Sequence, residues 1–378
     1  MTAWPLAPGR AGLCWQPVCD VLTALGPATA AGETLWAKSS DRPPSEAQLL
    51  EWLPPRHDSG PVAATHTTVD PWPGETLGVL GTRPAWGWGL EQGVNTAGVA
   101  VGNLAVYSRL DPRCFPPALT GMDLVRLALE RGATATEAVD VMTGALERHG
   151  QGGSGHHQAE RPYWSSFVVA DPDSAWVVDT SGPTWASAPV NRTWASSNRP
   201  AIVSFDAVHR HPRQPVEQVV EPRLRASRSV LAAEPVTEAA LAAHLRSHTG
   251  VGGYSVCMHV PGAECTTASM IATLPAGGPP RARCLLGSPC ASVYVPLGVG
   301  PVGMVPPPVS ASRASVLRWA GPSDPVLPAD RGPLDAVEAE LEHLVRADPW
   351  VLADPAWPSE AWARVEAALR DAVPQAST

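Results

Sequence analysis

Short stretches of alternating apolar and polar residues mark the first hundred positions and predict β-strands. Residues 21–25 show this alternation, glycine-containing turns interrupt it, and the extended pattern resumes at residues 34–37. The segment 19–42 is therefore predicted to form a hairpin whose two outer ends lie side by side. Further buried strands are predicted at residues 77–82 and 99–106.

Helical periodicity replaces this alternation after residue 120. Thr120 is predicted to cap an amphipathic helix that begins near Asp123, and Thr134 is predicted to cap a second helix that runs to about His149. Groups of strands and helices then follow one another, an order that is typical of an α+β protein. The later predicted groups are strands at 163–203, helices at 221–246, strands at 253–299, and charged amphipathic helices at 335–346 and 359–373.

Three chemically reactive side chains meet at the open end of the predicted hairpin. Cys19 begins the first strand, and Lys38 and Asp41 lie at the end of the second. A cation near a cysteine lowers the pKa of the thiol and supplies the thiolate, which is the reactive form. The same pattern also fits a structural cysteine beside a surface Lys–Asp pair, and the hairpin alone favours that structural interpretation.

Five blocks of sequence, which occur in a fixed order, favour the reactive cysteine over the structural one. They are Cys19-Asp20 with Lys-Ser-Ser-Asp-Arg at residues 38–42, and the segments 83–95, 98–103, 121–131 and 266–270. Together these blocks resemble the secernin and cysteine dipeptidase family of N-terminal nucleophile hydrolases. The resemblance extends over most of the chain.

This resemblance implies a four-layer αββα sandwich, in which two antiparallel sheets lie face to face with helices outside them. It implies a catalytic domain at residues 19–310 and a C-terminal helical extension, residues 311–378, that packs on this core. Residues 1–18 would then be a propeptide whose removal exposes the amine of Cys19. Cys14 is a rival nucleophile, but no Asp follows it.

The resemblance also implies how the hairpin residues act. Cys19 would attack an amide carbonyl as a thiolate, and its own α-amine would serve as the general base. Asp41 would orient that amine. Lys38, at a position where related amidases carry Arg, would stabilise the thiolate.

Two asparagines and one arginine complete the implied site. Asn103 and Asn198 would donate hydrogen bonds to the oxyanion of the intermediate. Asn198 also fits a partner of the amine, or a residue that simply closes a strand. The segment that ends at Arg228 distantly resembles a run in related amidases that contains an active-site arginine, although three arginines on one helix also fit a solvated face. Ser165 departs from the family pattern, because secernins carry Asn there.

Trp86, Trp88 and Glu91 are the candidate substrate-binding residues. Two tryptophans that are two positions apart lie on the same face of an extended segment. They would either wall a substrate pocket or fill the core, and the sequence does not distinguish these two roles.

Composition excludes several classes of partner. The 378 residues carry a net charge of −9, which gives no electrostatic footprint for nucleic acid or for an anionic membrane. Residues 1–18 lack the apolar run of a secretory signal. The seven cysteines form no tight framework and their number is odd, so we expect a reducing compartment and a cytoplasmic protein.

No cofactor or metal ion is expected from the sequence. Cys257, His259 and Cys265 are candidate zinc ligands by residue type. Three ligands at these spacings match no usual zinc motif, so a zinc site is not predicted.

The expected function is that of a cysteine dipeptidase, or a related amidohydrolase, which cleaves an amide bond of a small peptide. Two alternatives remain open: a non-catalytic binding or regulatory protein with the same fold, and an amidase that acts on a non-peptide metabolite. The sequence also leaves open whether the chain assembles as a homo-oligomer.

Overall fold

The computed structural model describes residues 19–46, 48–157, 160–214, 216–251, 253–260, 263–299 and 331–372. The propeptide expected at residues 1–18 and the domain boundary expected at residue 310 lie outside the described residues.

Strands recur along the chain between residues 20 and 298, as the alternating patterns predict. In chain order they are β1 (Asp20–Ala24), β2 (Thr34–Arg42), β3 (Gln48–Leu53), β4 (Val62–Ala63), β5 (Thr68–Val69), β6 (Val79–Pro84), β7 (Gln92–Asn95), β8 (Ala100–Val106), β9 (Trp164–Ala170), β10 (Ala175–Ser181), β11 (Thr184–Val190), β12 (Thr193–Ser196), β13 (Gly250–Val251), β14 (Tyr254–Ser255), β15 (His259–Val260), β16 (Glu264–Leu274), β17 (Arg281–Leu286) and β18 (Val295–Gly298).

The α-helices interrupt this series of strands at two places, after β8 and after β12, and also form the C-terminal region. They are α1 (Gly121–Arg131), α2 (Ala135–His149), α3 (Val203–His209), α4 (Glu221–Ala232), α5 (Glu238–Leu245), α6 (Gly332–Ala347) and α7 (Trp357–Ala372).

Two seven-stranded antiparallel sheets form the centre of the molecule. The first has the order β12–β1–β2–β16–β17–β18, with β15 paired to β16. The second has the order β11–β10–β9–β8–β7–β6–β3. The hairpin predicted at residues 19–42 is therefore β1 and β2, and β2 lies near the middle of the first sheet.

Side-chain alternation along the strands sorts the apolar residues into three layers. Val21 and Ala100 belong to one cluster shared by both sheets, whereas their neighbours Leu22 and Val101 belong to two other clusters. The cluster of Leu22 includes residues of α4 and α5, and the cluster of Val101 includes residues of α1 and α2. Because successive strand residues point to opposite faces, each sheet packs on its partner sheet and on helices. The predicted α+β fold, a four-layer αββα sandwich, is confirmed.

Local signals place the ends of the first two helices. Thr120 accepts a hydrogen bond from the backbone of Asp123, and the Asp123 carboxylate accepts one from the backbone of Thr120 over 2.8 Å. The Thr134 side chain caps α2 by accepting a hydrogen bond from the backbone of Glu137, whose own carboxylate accepts one from the backbone of Ala133. Each N-cap satisfies backbone donors that the helix itself leaves free, which typically contributes about 1 kcal/mol.

The C-terminal helices extend the core that lies between the sheets. Leu334 and Leu341 of α6, together with Trp362 of α7, are buried in the same cluster as Val295 of β18. The indole nitrogen of Trp357 donates to the carbonyl of Pro296 over 2.7 Å. Within the described residues, no helix combines the length and apolar composition that crossing a bilayer requires.

Candidate active site

The β1–β2 hairpin places the cysteine beside the end of the second strand. In its register, Asp20 pairs with Ser39 and Val21 pairs with Lys38. Cys19, one residue before β1, consequently faces the last residues of β2, and the backbone nitrogen of Asp41 donates to Cys19 Sγ over 3.5 Å. The Cys19 side chain is buried, with 3% of the residue exposed.

Asn198, two residues after the end of β12, lies on the other side of Cys19. Its Oδ1 accepts a hydrogen bond from the backbone nitrogen of Cys19 over 2.8 Å and another from Arg223 Nη2 over 3.1 Å. Its Nδ2 donates to the carbonyl of Ala105 over 2.9 Å. Two donors and one acceptor thus fix the orientation of the amide. The oxygen faces the cysteine, so Asn198 is arranged as a partner of the Cys19 nitrogen.

Arg223, on α4, connects these groups. Its guanidinium is completely buried and forms an ion pair with Asp20 at 2.7 Å, while its Nε donates to the carbonyl of Val219 over 2.9 Å. Its Nη1 also lies 3.5 Å from the carbonyl oxygen of Cys19. A buried ion pair of this kind holds its geometry firmly, because loss of either partner leaves an uncompensated charge in the interior.

Arg228, which the resemblance implies as a site residue, is not brought into this cluster. Its side chain is exposed, and it lies five positions after Arg223, on a different face of α4. Arg223, Ser227 and Leu231 form the buried stripe of the helix. This spacing of four was visible in the sequence and could have identified Arg223 as the buried arginine.

Lys38 occupies a space that a glycine provides. Gly102 lies on β8, in the facing sheet, and an added Cβ there would lie 2.6 Å from Lys38 Cδ and 2.7 Å from Trp36 Cζ2. The Lys38 side chain is fully buried, and its Nζ lies 3.7 Å from Glu91 Oε2. No hydrogen-bond acceptor among the described residues lies within reach of this nitrogen. The ammonium group therefore has donor capacity for an incoming group.

Glu91 balances the buried positive charges. Its Oε1 pairs with Arg42 Nη1 at 2.5 Å, and its Oε2 faces Lys38. With its side-chain nitrogen turned toward Glu91, Asn103 donates to Oε2 over 2.7 Å and to the backbone carbonyl over 3.1 Å. These contacts engage both carboxylate oxygens and occupy the Asn103 amide. Glu91 and Asn103 are thus arranged to hold Lys38 in place.

Asp41 has one satisfied oxygen and one free oxygen. The hydroxyl of Thr266 donates to Oδ1 over 2.6 Å, whereas Oδ2 is buried without a donor among the described residues. Burial raises the pKa of this carboxyl well above its ordinary value. A cationic donor beside Cys19 would therefore satisfy Oδ2 and favour the ionised form of Asp41.

Burial also determines the state of the thiol. It raises the pKa of Cys19 from 9.0 to about 12, although the charge of Lys38 acts in the opposite direction. The sequence pattern predicts that the nearby cation supplies a thiolate. In the described chain the loss of hydration is the larger effect, so the sulfur is a neutral thiol at neutral pH.

The two tryptophans have different surroundings. Trp86 lies in a turn after β6, where its indole nitrogen donates to Glu46 Oε2 over 3.1 Å and Arg42 lies over its ring. Trp88 packs against the cluster under α1 and α2, with Arg126 over its ring at 4.2 Å. The expected extended segment is wrong, because the chain forms a turn at residues 85–86 and a bend at residues 88–89. Trp86 contacts the charge network, and Trp88 belongs to the core.

Sequence reasoning assigned no role to four buried residues near Cys19: Asp20, Tyr163, Arg223 and Thr266. Burial raises the pKa of the Tyr163 phenol, and Asn103 and the Cys19 sulfur are among the groups that act on it. Asp20 and Thr266 lay inside the blocks that carry the family resemblance. Tyr163 lay outside them and gave no local signal.

Comparison with known proteins concerns the architecture alone. No family model matches the chain. An N-acylethanolamine-hydrolysing acid amidase ortholog from Caenorhabditis elegans shares 14% identity, with a TM-score of 0.40, over 67% of this chain and 92% of that one. Two variants of the conjugated bile acid hydrolase from Clostridium perfringens share 12% and 13% identity, each with a TM-score of 0.48, over 74% of this chain and 92% of theirs.

Proposed function

We propose that this chain is the precursor of a cysteine-type amide hydrolase, in which cleavage before Cys19 frees the α-amine of the nucleophile. The observation that carries the proposal is the position of both functional atoms of Cys19. Its nitrogen is held by Asn198 Oδ1 at 2.8 Å, and its sulfur lies 3.5 Å from the backbone nitrogen of Asp41. Cleavage would convert that same nitrogen into an amine without moving it.

The amine would act as an internal base. A free α-amine has a pKa of about 8, so a substantial fraction is neutral in weakly alkaline solution. It accepts the proton of the Cys19 thiol as the sulfur attacks the substrate carbonyl carbon. The same proton then passes to the leaving amine as the C–N bond breaks, and a thioester remains on Cys19. Water hydrolyses the thioester and restores the thiol.

Asp41 and Asn198 would orient this amine. Asn198 already accepts a hydrogen bond from the Cys19 nitrogen, and the free Oδ2 of Asp41 offers a second acceptor nearby. Arg223 holds the Asn198 oxygen in place. In this scheme Arg223 is a positioning residue, because it acts through Asn198.

Lys38 would stabilise the negative charge that develops on the substrate oxygen. Its ammonium group is buried without an acceptor in reach, and a preorganised donor in a dry site favours an oxyanion strongly. The amides of Asn103 and Asn198 are already engaged with Glu91 and the Ala105 carbonyl. We therefore assign the oxyanion to Lys38 and a supporting role to the two asparagines.

A small peptide, such as a dipeptide, is the proposed substrate. The sequence blocks that resemble those of secernins and cysteine dipeptidases support this choice, and a peptide carbonyl is the group that the proposed chemistry attacks. A non-peptide amide would undergo the same steps. The specificity therefore has to be tested separately from the chemistry.

The test compares the purified wild-type chain with Cys19→Ala and with Cys284→Ala, a second buried cysteine. We expect the intact mass of the active wild-type protein to begin at Cys19 and a panel of dipeptides to include a substrate. Cys19→Ala should retain residues 1–18 and show no turnover, whereas Cys284→Ala should be processed. Equal activity of Cys19→Ala and wild type would overturn the assignment.

A non-catalytic protein with this fold is the second candidate, and one observation favours it. The Cys19 thiol is buried and protonated in the described chain, which makes it a poor nucleophile by itself. A folded wild-type protein that keeps residues 1–18 and cleaves neither peptides nor simple amides would support this candidate.

A further inference from the structure

Four metal-ligating side chains converge beside the first sheet, outside the candidate active site. They are His248, which follows α5, Cys257, which precedes β15, His259, which begins β15, and Cys290, in the short 3-10 helix Pro289–Ala291. Their ligand atoms all lie within 4.8 Å of one another. Four ligand atoms from three separate segments therefore lie close enough together to share one ion.

The three distances from His259 Nε2 to the other ligand atoms are close to those of a tetrahedral zinc site. His259 Nε2 lies 3.1 Å from His248 Nε2, 3.3 Å from Cys257 Sγ and 3.4 Å from Cys290 Sγ. With Zn–S bonds of about 2.3 Å and Zn–N bonds of about 2.0 Å, tetrahedral zinc places two nitrogens about 3.3 Å apart and a nitrogen and a sulfur about 3.5 Å apart. The observed separations fall close to these values.

We propose that His248, Cys257, His259 and Cys290 bind one Zn²⁺ ion as a structural Cys₂His₂ site. Both thiols lose their protons to solvent on binding, so two thiolates and two neutral imidazoles surround a doubly charged ion and the site is neutral overall. All four positions of the tetrahedron are protein ligands, which is the arrangement of a structural rather than a catalytic zinc. His248 is exposed, so the ion has an entry path from solvent.

The site would fix the segment that supports Asp41. The backbone nitrogen of Met258, between two of the ligands, donates to Thr266 Oγ1 over 2.8 Å, and the same hydroxyl donates to Asp41 Oδ1 over 2.6 Å. Zinc would therefore link the segment around Cys257 to the sheet and to the carboxylate beside Cys19. This proposal does not depend on the proposed catalytic function.

The sequence-based expectation of no metal site rested on Cys257, His259 and Cys265, whose spacing matches no usual motif. Cys265, on β16, is not a member of the cluster; its backbone pairs with His259 in the sheet. His248 and Cys290 complete the set, and Cys290 is brought to it only by the packing of the chain after β17.

The metal content of the purified, untagged protein tests this proposal. By elemental mass spectrometry we expect about one zinc ion per chain, and by X-ray absorption two sulfur ligands at about 2.3 Å and two nitrogen ligands at about 2.0 Å. Cys257→Ala and Cys290→Ala should lower the zinc content to background. Cys284→Ala removes a buried thiol that lies elsewhere in the core, and it should keep the ion.

Three results would overturn the proposal. The first is a folded wild-type protein that contains no zinc and takes up none when Zn²⁺ is titrated against a chelating dye. The second is zinc that remains at full content in both Cys257→Ala and Cys290→Ala. The third is a Cys257–Cys290 disulfide in the freshly purified protein, detected by non-reducing peptide mass mapping. The wild-type measurements do not require any variant to fold.

Discussion

The backbone nitrogen of Cys19 donates to the side-chain oxygen of Asn198 across 2.8 Å, although the two residues are 179 positions apart in the chain. The contact joins the first strand of one sheet to the end of its edge strand. Arg223 donates to the same oxygen from α4. Through these hydrogen bonds, the Asn198 oxygen links the segment after β12 to the start of β1 and to α4.

Replacement of Asn198 by Ala should impair both processing and turnover. The change leaves the Cys19 nitrogen and one Arg223 donor without their acceptor, and a buried unsatisfied donor costs about 1–3 kcal/mol. We expect turnover to fall by at least about tenfold, which corresponds to about 1.4 kcal/mol. Asn198→Asp keeps an oxygen at that place and serves as the comparison in the same peptide assay. Turnover of the Ala variant at the wild-type level would refute the role.

Arg223 and Arg228 provide a matched pair on one helix. Arg223→Ala leaves the buried carboxylate of Asp20 without its ion partner, so we expect the free energy of unfolding to drop by about 3–5 kcal/mol. Arg228→Ala changes an exposed side chain and should stay within about 0.5 kcal/mol of wild type. Urea denaturation of both variants measures the difference. Similar losses in the two variants would contradict the placement of Arg223.

Gly102→Ala tests the space occupied by Lys38. The new Cβ would lie 2.6 Å from Lys38 Cδ and 2.7 Å from the Trp36 ring, and overpacking of a core typically costs about 1–3 kcal/mol. We expect thermal unfolding to show a loss of stability of this size. Turnover should also fall, because Lys38 is displaced. Gly277→Ala is the control, since nothing lies within 4 Å of its added Cβ. A neutral Gly102→Ala would show that the two sheets are farther apart here than described.

Alkylation rates should reveal the protonated state of Cys19 in the chain that retains residues 1–18. A pKa of about 12 in place of 9.0 lowers the thiolate fraction at pH 8 by about a thousandfold, and the thiolate is the species that reacts. Iodoacetamide should therefore modify Cys19 at least about a hundredfold more slowly than the exposed Cys114. Peptide mass mapping over time measures both rates, and equal rates would exclude a buried neutral thiol.

The buried carboxyl of Asp179 should make the stability of the protein depend on pH. Its Oδ2 accepts hydrogen bonds from the backbone of Ala201 and Ile202, yet burial raises its pKa from 3.8 to about 6. A carboxyl whose pKa is raised by folding contributes stability below its unfolded pKa, and that contribution is lost as the pH rises through about 6. The free energy of unfolding of Asp179→Asn should therefore rise relative to that of wild type between pH 4 and pH 7, by about 3 kcal/mol at most.

Urea denaturation at those two pH values measures the effect. Asp173→Asn, which changes an exposed side chain, is the control and should follow the wild-type curve. A constant difference between Asp179→Asn and wild type at both pH values would show that the carboxyl does not titrate in this range.

The sequence by itself determined the elements that depend on near neighbours. The β1–β2 hairpin follows from alternation and turn residues, and the N-caps at Thr120 and Thr134 follow from side chains three positions from their backbone partners. The α+β order of strands and helices was readable for the same reason. Each of these features needs only a few consecutive residues, so local periodicity is sufficient to predict it.

Only the tertiary structure decided which distant groups meet and what state they adopt. In the folded chain Arg223, and not Arg228, lies beside Asn198, and the Asn198 oxygen faces Cys19. Cys290 lies beside His259 for the same reason. The tertiary structure also reversed the expected effect on the thiol, because burial outweighs the charge of Lys38. Packing of the sheets and helices sets both distance and hydration, and neither quantity is encoded by residue spacing alone.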